Sequence, residues 1–367
     1  MTTADTFPMG AKRRRWGARL LLVLLGLTLA LGSAEIAVRI IDPPPHVLHH
    51  VNVAGYRLSS NPIRKFEYTP GRFQVTAGFD DHANFRINRH GFRDTEFHLA
   101  KDSKTFRILA LGDSVTAGNG VQDYRNTYPK VLERALNLKS PGRIFQVFNM
   151  GVGGYETLQE IETLRNVGLQ FHPNLVTVGF VINDFNEDVD GGVYQNLLRQ
   201  VGTAEREVMT EMMTRSTWQT WHYLLSRSRL LFFAYYRSRN AMERYRGKGF
   251  DYRHDVLQNR NPVERGLELL DKLQREHGFQ VVIFLIPAFD WKEQEYRYTQ
   301  IHEAVKNAAA AYPNITVLDL RPACMAVERN GAGFAFDGLH PNERGHRLLG
   351  ELMATNLMSM ISIGHSP

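Results

Sequence analysis

Residues 175–182 (LVTVGFVI) narrow what this chain can become more than any other stretch. The run is uncharged, of strand length and without polar alternation. That suits a strand covered on both faces, and so a parallel sheet. Comparable short runs recur at 106–111, 144–148, 281–286 and 315–320. Helical spacing separates them at 128–138, 158–167, 262–277 and 299–311, and a last helix is expected over about 342–360. Strands alternating with helices predict a parallel sheet with right-handed crossovers. Five such strands predict an α/β chain, a flavodoxin-like three-layer α/β/α domain over 105–360 with an insertion at 185–261.

Upstream the pattern changes. Residues 1–19 carry Lys12, Arg13, Arg14, Arg15 and Arg19 against Asp5, a net +4 out of the chain's +6. They precede fifteen uncharged residues, 20–34, and the apolar character resumes in Ile36, Val38, Ile40 and Ile41. Taken from Trp16, this stretch forms a helix of roughly 28 Å, about one hydrocarbon core. Basic residues before such a span predict a cytoplasmic segment 1–19, a transmembrane anchor over 20–41 and an exported body. Gly32-Ser33-Ala34 also suits cleavage of a signal peptide, but the resumed apolar run favours the anchor. Pro43-Pro44-Pro45 ends the helix, and 42–104 read as a linker with a small extension holding short strands near 73–75 and 84–88. His46, His49 and His50 lack a carboxylate or cysteine to complete a metal site and read as linker.

The remaining charge gathers at 215–253, a +7 segment rich in aromatics within the insertion. It is expected to form a cap over the site, with an anionic membrane surface as the other reading. Residues 20–214 and 254–367 together carry −5, so the net charge does not imply a nucleic-acid partner. The single cysteine, Cys324, rules out an intrachain disulfide and any multi-cysteine zinc site, and reads as a small buried hydrophobe. The motifs that would imply a nucleotide or a zinc protease, GxxxxGK[ST], GxGxxG and HExxH, are absent, and no cofactor or metal is expected.

Four short blocks fall where the inferred strands end. Gly112-Asp113-Ser114 follows the first strand, and ligands of an open parallel sheet bind beyond strand carboxyl ends. A lone serine there would be an ordinary helix cap. Asp337-Gly338-Leu339-His340, after the fifth strand, changes that reading. The Asp337 carboxylate can hold one imidazole nitrogen while the other faces outward as a base. The glycine-rich turn Asn149–Gly154 and the amide of Asn183 bring donors for a developing oxyanion to the same rim. Asp184 is expected to support the turn at Asn183, and His346 to be a surface or packing residue.

These blocks resemble the SGNH/GDSL hydrolases, esterases and lipases of flavodoxin-like fold. The resemblance covers about 105–360 less the insertion, with GDSV in place of GDSL. It implies Ser114 as nucleophile, His340 as general acid/base and Asp337 as its orienter. It implies an oxyanion hole built from the Ser114 N–H, the Gly154 N–H and the Asn183 amide. The expected activity is cleavage of carboxylic esters through an acyl-enzyme, on acylated envelope polysaccharide or on lipid. Transfer of the acyl group to a sugar hydroxyl uses the same triad. A non-catalytic envelope binding or assembly protein is the reading from a different class.

Overall fold

A computed structural model of the chain describes residues 9–41, 55–74, 84–184, 193, 197, 230 and 261–363. The histidines 46, 49 and 50 lie outside the described residues, as does the expected insertion apart from residues 193, 197, 230 and 261. The chain divides into two compact units, Met1–His50 with Thr203–Phe250, and Val51–Gly202 with Asp251–Pro367.

The first unit contains the long helix α1 (Met9–Ile41), with side chains described at 17, 19 and 21–37. Leu21, Leu22, Leu24, Leu25, Leu27 and Leu29 are all exposed on it. Among the described residues no helix is long and apolar enough to cross a membrane.

The second unit begins with two small antiparallel pairs. β1 (Tyr56–Leu58) pairs with β2 (Phe66–Tyr68), and β3 (Gly71–Gln74) with β4 (Asn84–Ile87). Phe66, Tyr68, Phe85, Ile87, Phe92 and Phe97 from this region are buried in one cluster with Leu109 and Leu111 of the central sheet. Within the stretch expected to be a linker with a small extension, these six residues therefore share the core of the sheet.

The sheet contains β5 (Thr105–Gly112), β6 (Ile144–Asn149), β7 (Leu175–Phe180), β8 (Gln280–Leu285) and β9 (Ile315–Asp319). All four pairings are parallel and the order is β6-β5-β7-β8-β9. This is the doubly wound order in which the chain reverses direction across the sheet between its first and third strands, here β5 and β7. The residues of β7 are buried on both faces, as their unbroken apolar run requires.

The helices are α2 (Ser114–Ala117), α3 (Tyr128–Lys139), α4 (Thr157–Thr163), α5 (Asn261–His277), α6 (Thr299–Ala309), α7 (Arg321–Val327) and α8 (Glu343–Ile363). Leu132 and Leu136 of α3 pack with Leu349 and Met353 of α8 on one face of the sheet. Ile161 of α4, Leu267 and Leu270 of α5, and Ile301 and Val305 of α6 fill the other. The three layers follow from these two apolar clusters, one on each side of the strands. The helix expected over 158–167 forms over 157–168. After Thr163 it widens into a π turn at Leu164–Gly168.

Candidate active site

The site sits at the point where the sheet reverses direction. β5 ends at Gly112 with φ +153°, and a Cβ there would lie 1.9 Å from Thr116 Oγ1. Asp113 then caps α2 by accepting the Val115 N–H at 2.8 Å. Gly118, at φ +80°, ends this single turn and returns its N–H to the Ser114 carbonyl. Ser114 thus stands at the first position of a one-turn helix, 8% exposed.

Its hydroxyl Oγ lies 2.9 Å from His340 Nε2. His340 Nδ1 lies 2.8 Å from Asp337 Oδ2. The other Asp337 oxygen accepts the backbone N–H groups of Leu339 at 3.0 Å and His340 at 2.8 Å. Burial pushes the Asp337 carboxyl up, but the hydrogen bond and charge of His340 and these two N–H groups outweigh it and hold it at about 2. The loop does not follow β9 directly, contrary to the sequence reading. Helix α7 and a 3₁₀ turn at Gly331–Phe334 intervene. The Phe289 N–H donates to the Gly338 carbonyl and the Phe336 N–H to the His340 carbonyl, which returns the loop to the rim.

The Asn149–Gly154 turn is stitched to α2. Asn149 Nδ2 donates to the Thr116 carbonyl at 2.9 Å, and Asn149 Oδ1 accepts the Gly151 N–H at 3.0 Å. A Cβ on Gly151 would fall 2.4 Å from Ala117 N, so only glycine allows this approach. Gly154 has φ +86°. Asn183, just past β7, donates its amide to Asp113 Oδ2 at 2.9 Å, the oxygen that also lies 3.2 Å from Ser114 Oγ. Hydrogen bonds therefore join Ser114, His340 and Asp337 directly. Asn183 is joined to them through Asp113, and Gly154 through its turn. An amide has two N–H donors, so Asn183 can hold Asp113 with one and offer the other.

Asp184 accepts the Val181 N–H at 2.7 Å and so braces the turn around Asn183. Its carboxyl is pushed well up by burial, then by the charges of Glu160 and Asp113. Glu160 is pushed well up in the same way, by burial and then by Asp113 and Glu156. His346 is fully buried. Its Nδ1 accepts the Tyr128 N–H at 3.1 Å, and burial, then the charges of Arg93 and His340, lower its pKa to about 3. Cys324 is buried and free, its thiol pushed up to about 12 by burial and then by Asp319. Among the described residues no group of three or more His, Cys, Asp or Glu is placed to hold a metal ion.

Several supports were not singled out in the sequence. The buried guanidinium of Arg93 donates to the carbonyls of Ala117, Gly118, Val121 and Gln122, the loop that follows the nucleophile. Asp94 accepts the Asn149 N–H at 2.9 Å and lies 3.3 Å from Lys130 Nζ. Tyr56 and Tyr68 reach the glycine turn. The one available signal was the sequence Arg93-Asp94 beside Phe92 and Phe97, charges inside an aromatic stretch.

A model of the GDSL-like lipase/acylhydrolase family matches residues 110–348, a span that contains all four blocks. The chain belongs to this family. Among curated proteins it is similar to phospholipase B1, membrane-associated, of Mus musculus, at 27% identity over 124 residues. The match covers 32% of this chain and 8% of that protein, so the chain spans a small part of this relative's length. Among solved structures it is similar to a catalytic mutant of Axe2, an acetylxylan esterase from Geobacillus stearothermophilus. That likeness has 16% identity, covers 69% of this chain and 94% of the other, and has a TM-score of 0.43. It is also similar to the psychrotrophic esterase EstA of Pseudoalteromonas sp., at 12% identity over 70% of this chain and 98% of the other, with a TM-score of 0.40.

Proposed function

We propose that the chain is a serine esterase that cleaves carboxylic esters through an acyl-enzyme. The observation that carries this is the unbroken line from Ser114 Oγ to His340 Nε2 at 2.9 Å and from His340 Nδ1 to Asp337 Oδ2 at 2.8 Å. A hydroxyl is a weak nucleophile until a neighbouring base takes its proton. In this reading Ser114 attacks the ester carbonyl while its proton passes to His340 Nε2. Asp337 keeps the imidazole in the tautomer that leaves Nε2 free to accept, and stabilises the imidazolium. The Ser114 and Gly154 N–H groups and the Asn183 amide receive the carbonyl oxygen as it becomes an anion. His340 returns the proton to the leaving alcohol, then takes one from water, which attacks the acyl group and frees the acid and Ser114.

The proposed substrate is an ester carried by a lipid or by an acylated polysaccharide close to a membrane. The basic residues Lys12–Arg15 in front of the exposed leucines of α1 support a membrane anchor with the catalytic body exported. The relative named a membrane-associated phospholipase supports the lipid class.

Fluorophosphonate labelling of the purified chain tests the reaction. Wild type is expected to label and Ser114→Ala to remain unlabelled; a folded wild type that takes up no probe would leave only a binding role. Rates on acetyl, long-chain and sugar esters, with and without sugar acceptors, identify the substrate. Acylated sugar in excess of free acid would make the chain a transferase. Extraction of the full chain from membranes by alkaline carbonate would remove the anchor.

A further inference from the structure

Two tyrosines of the first antiparallel pair reach the turn that is expected to supply an oxyanion donor. Tyr56 and Tyr68 stand directly opposite each other in the β1–β2 register, so their side chains lie on one face. Their ring centroids are 4.6 Å apart. The Gly153 N–H donates to Tyr68 Oη at 3.0 Å. The Tyr56 hydroxyl donates to the Gly153 carbonyl at 3.3 Å, and its Oη lies 3.3 Å from Tyr68 Oη. A Cβ on Gly153 would fall 2.6 Å from Tyr56 Oη and 3.1 Å from Tyr68 Oη. The two hydroxyls occupy the space in which any other residue would carry its side chain.

The bond to the carbonyl reaches further than Gly153. The carbonyl of Gly153 and the N–H of Gly154 belong to one planar peptide unit and point in opposite directions. Whatever fixes the carbonyl therefore fixes the direction of the N–H. A hydrogen bond accepted by the carbonyl also polarises the same amide, which strengthens its N–H as a donor. Gly154 has no Cβ and sits at φ +86°, a conformation whose neighbouring peptide planes would otherwise rotate readily.

We propose that Tyr56 and Tyr68 are positioning residues for the oxyanion hole: Tyr56 holds the Gly153–Gly154 peptide by its carbonyl and Tyr68 holds the preceding peptide by the Gly153 N–H, so that the Gly154 N–H faces the reacting carbonyl. The clamp rests on the esterase reading. It assigns a role in the chemistry to a part of the chain that lies upstream of all four blocks. The hairpin has anchors that do not involve these hydroxyls. Phe66 is fully buried, Tyr155 Oη donates to the Phe66 carbonyl, and Gln159 Nε2 donates to the Arg64 carbonyl at 2.9 Å. Removing one oxygen leaves the rings and these anchors in place.

The test uses the full chain with Tyr56→Phe and Tyr68→Phe made singly. Hydrolysis of p-nitrophenyl acetate is measured and kcat is expressed per serine counted by stoichiometric fluorophosphonate uptake, so unfolded protein does not enter the rate. In each variant kcat per reactive serine should fall about tenfold with KM unchanged, a fraction of the loss that follows deletion of an oxyanion donor itself. The rate of fluorophosphonate uptake should fall with it, because that reaction also develops charge on oxygen. Hydroxyls that are merely structural would lower the thermal midpoint and the number of reactive serines while kcat per serine stayed at the wild-type value, and that result overturns the clamp. If one variant does not fold, the other decides. Wild type that takes up no probe overturns the esterase reading. Wild type that labels, with phenylalanine variants that label and turn over as fast, overturns the clamp alone.

Discussion

The serine side of the site and the histidine side are held by different means. Ser114 is 8% exposed and rests on glycines that no other residue can replace without collision. Its supports come from β5, β6, β7 and the upstream pairs, segments far apart in the chain. The Asp337 side chain is 41% exposed and orders its loop from within, with one oxygen on two backbone N–H groups and the other on the imidazole. The serine side is positioned by the core, whereas the imidazole is oriented by one carboxylate on a loop pinned by the backbone bonds of Phe289 and Phe336. Damage on the first side should therefore appear as lost stability as well as lost rate, and damage on the second mainly as lost rate.

Asp337→Asn is the strongest way to break this comparison. An amide in place of the carboxylate favours the wrong imidazole tautomer, and kcat should fall by about 10⁴. The thermal midpoint at neutral pH should fall less than in Gly151→Ala, because the half-exposed carboxylate contributes modestly there; a larger fall would show that the loop braces the fold. The carboxyl is held near 2, below its ordinary value of 3.8. Its stabilising contribution is thus complete above the ordinary value and is lost only as pH falls through about 2. Asn183→Ala comes next. It removes a proposed oxyanion donor and also a partner of Asp113, and kcat should fall by about 10² to 10³. Gly151→Ala should act mainly on stability. The added methyl meets backbone at Ala117, and overpacking of this kind costs about 1–3 kcal/mol, read as a lower unfolding midpoint.

His346→Gln should have the smallest effect at neutral pH and sharpen the picture in acid. Folding holds His346 near 3 against an ordinary 6.5, so between these values the unfolded chain binds a proton that the folded chain refuses. Acidification through that window favours unfolding. In urea titrations at a series of pH values the glutamine variant should lose this part of the slope. A slope identical to wild type would mean that His346 is protonated in place.

Much of the sheet could be read in advance because each strand carries its own signal. The unbroken run over 175–182 suits a strand covered on both faces, and Gly112 and Gly118 around Ser114 suit a tight turn. The same holds for Asp337 and His340, three residues apart on one loop and so able to meet. The supports from upstream could not be read this way. β1 and β2 are three residues each, too short for a period to register. The partner of Tyr56 at Gly153 lies 97 residues along the chain, and nothing local announces it. Helix α7 has only seven residues, too few for helical spacing to stand out, although Pro322 in its first turn is a residue common at helix starts.

Arg93 gives this a consequence for how such a protein can be inherited. The recognisable family span begins at residue 110, yet the guanidinium that closes four carbonyls behind the nucleophile lies before it. A recombination joint placed just ahead of β5 would carry every recognisable motif to a new protein and leave the cation behind. A buried carbonyl left without any other donor costs about 1–3 kcal/mol, whereas Gly118 keeps the Val121 N–H. The heritable unit is longer than the recognisable one, and exchange between relatives at that joint should yield chains with the right motifs and a slack nucleophile loop.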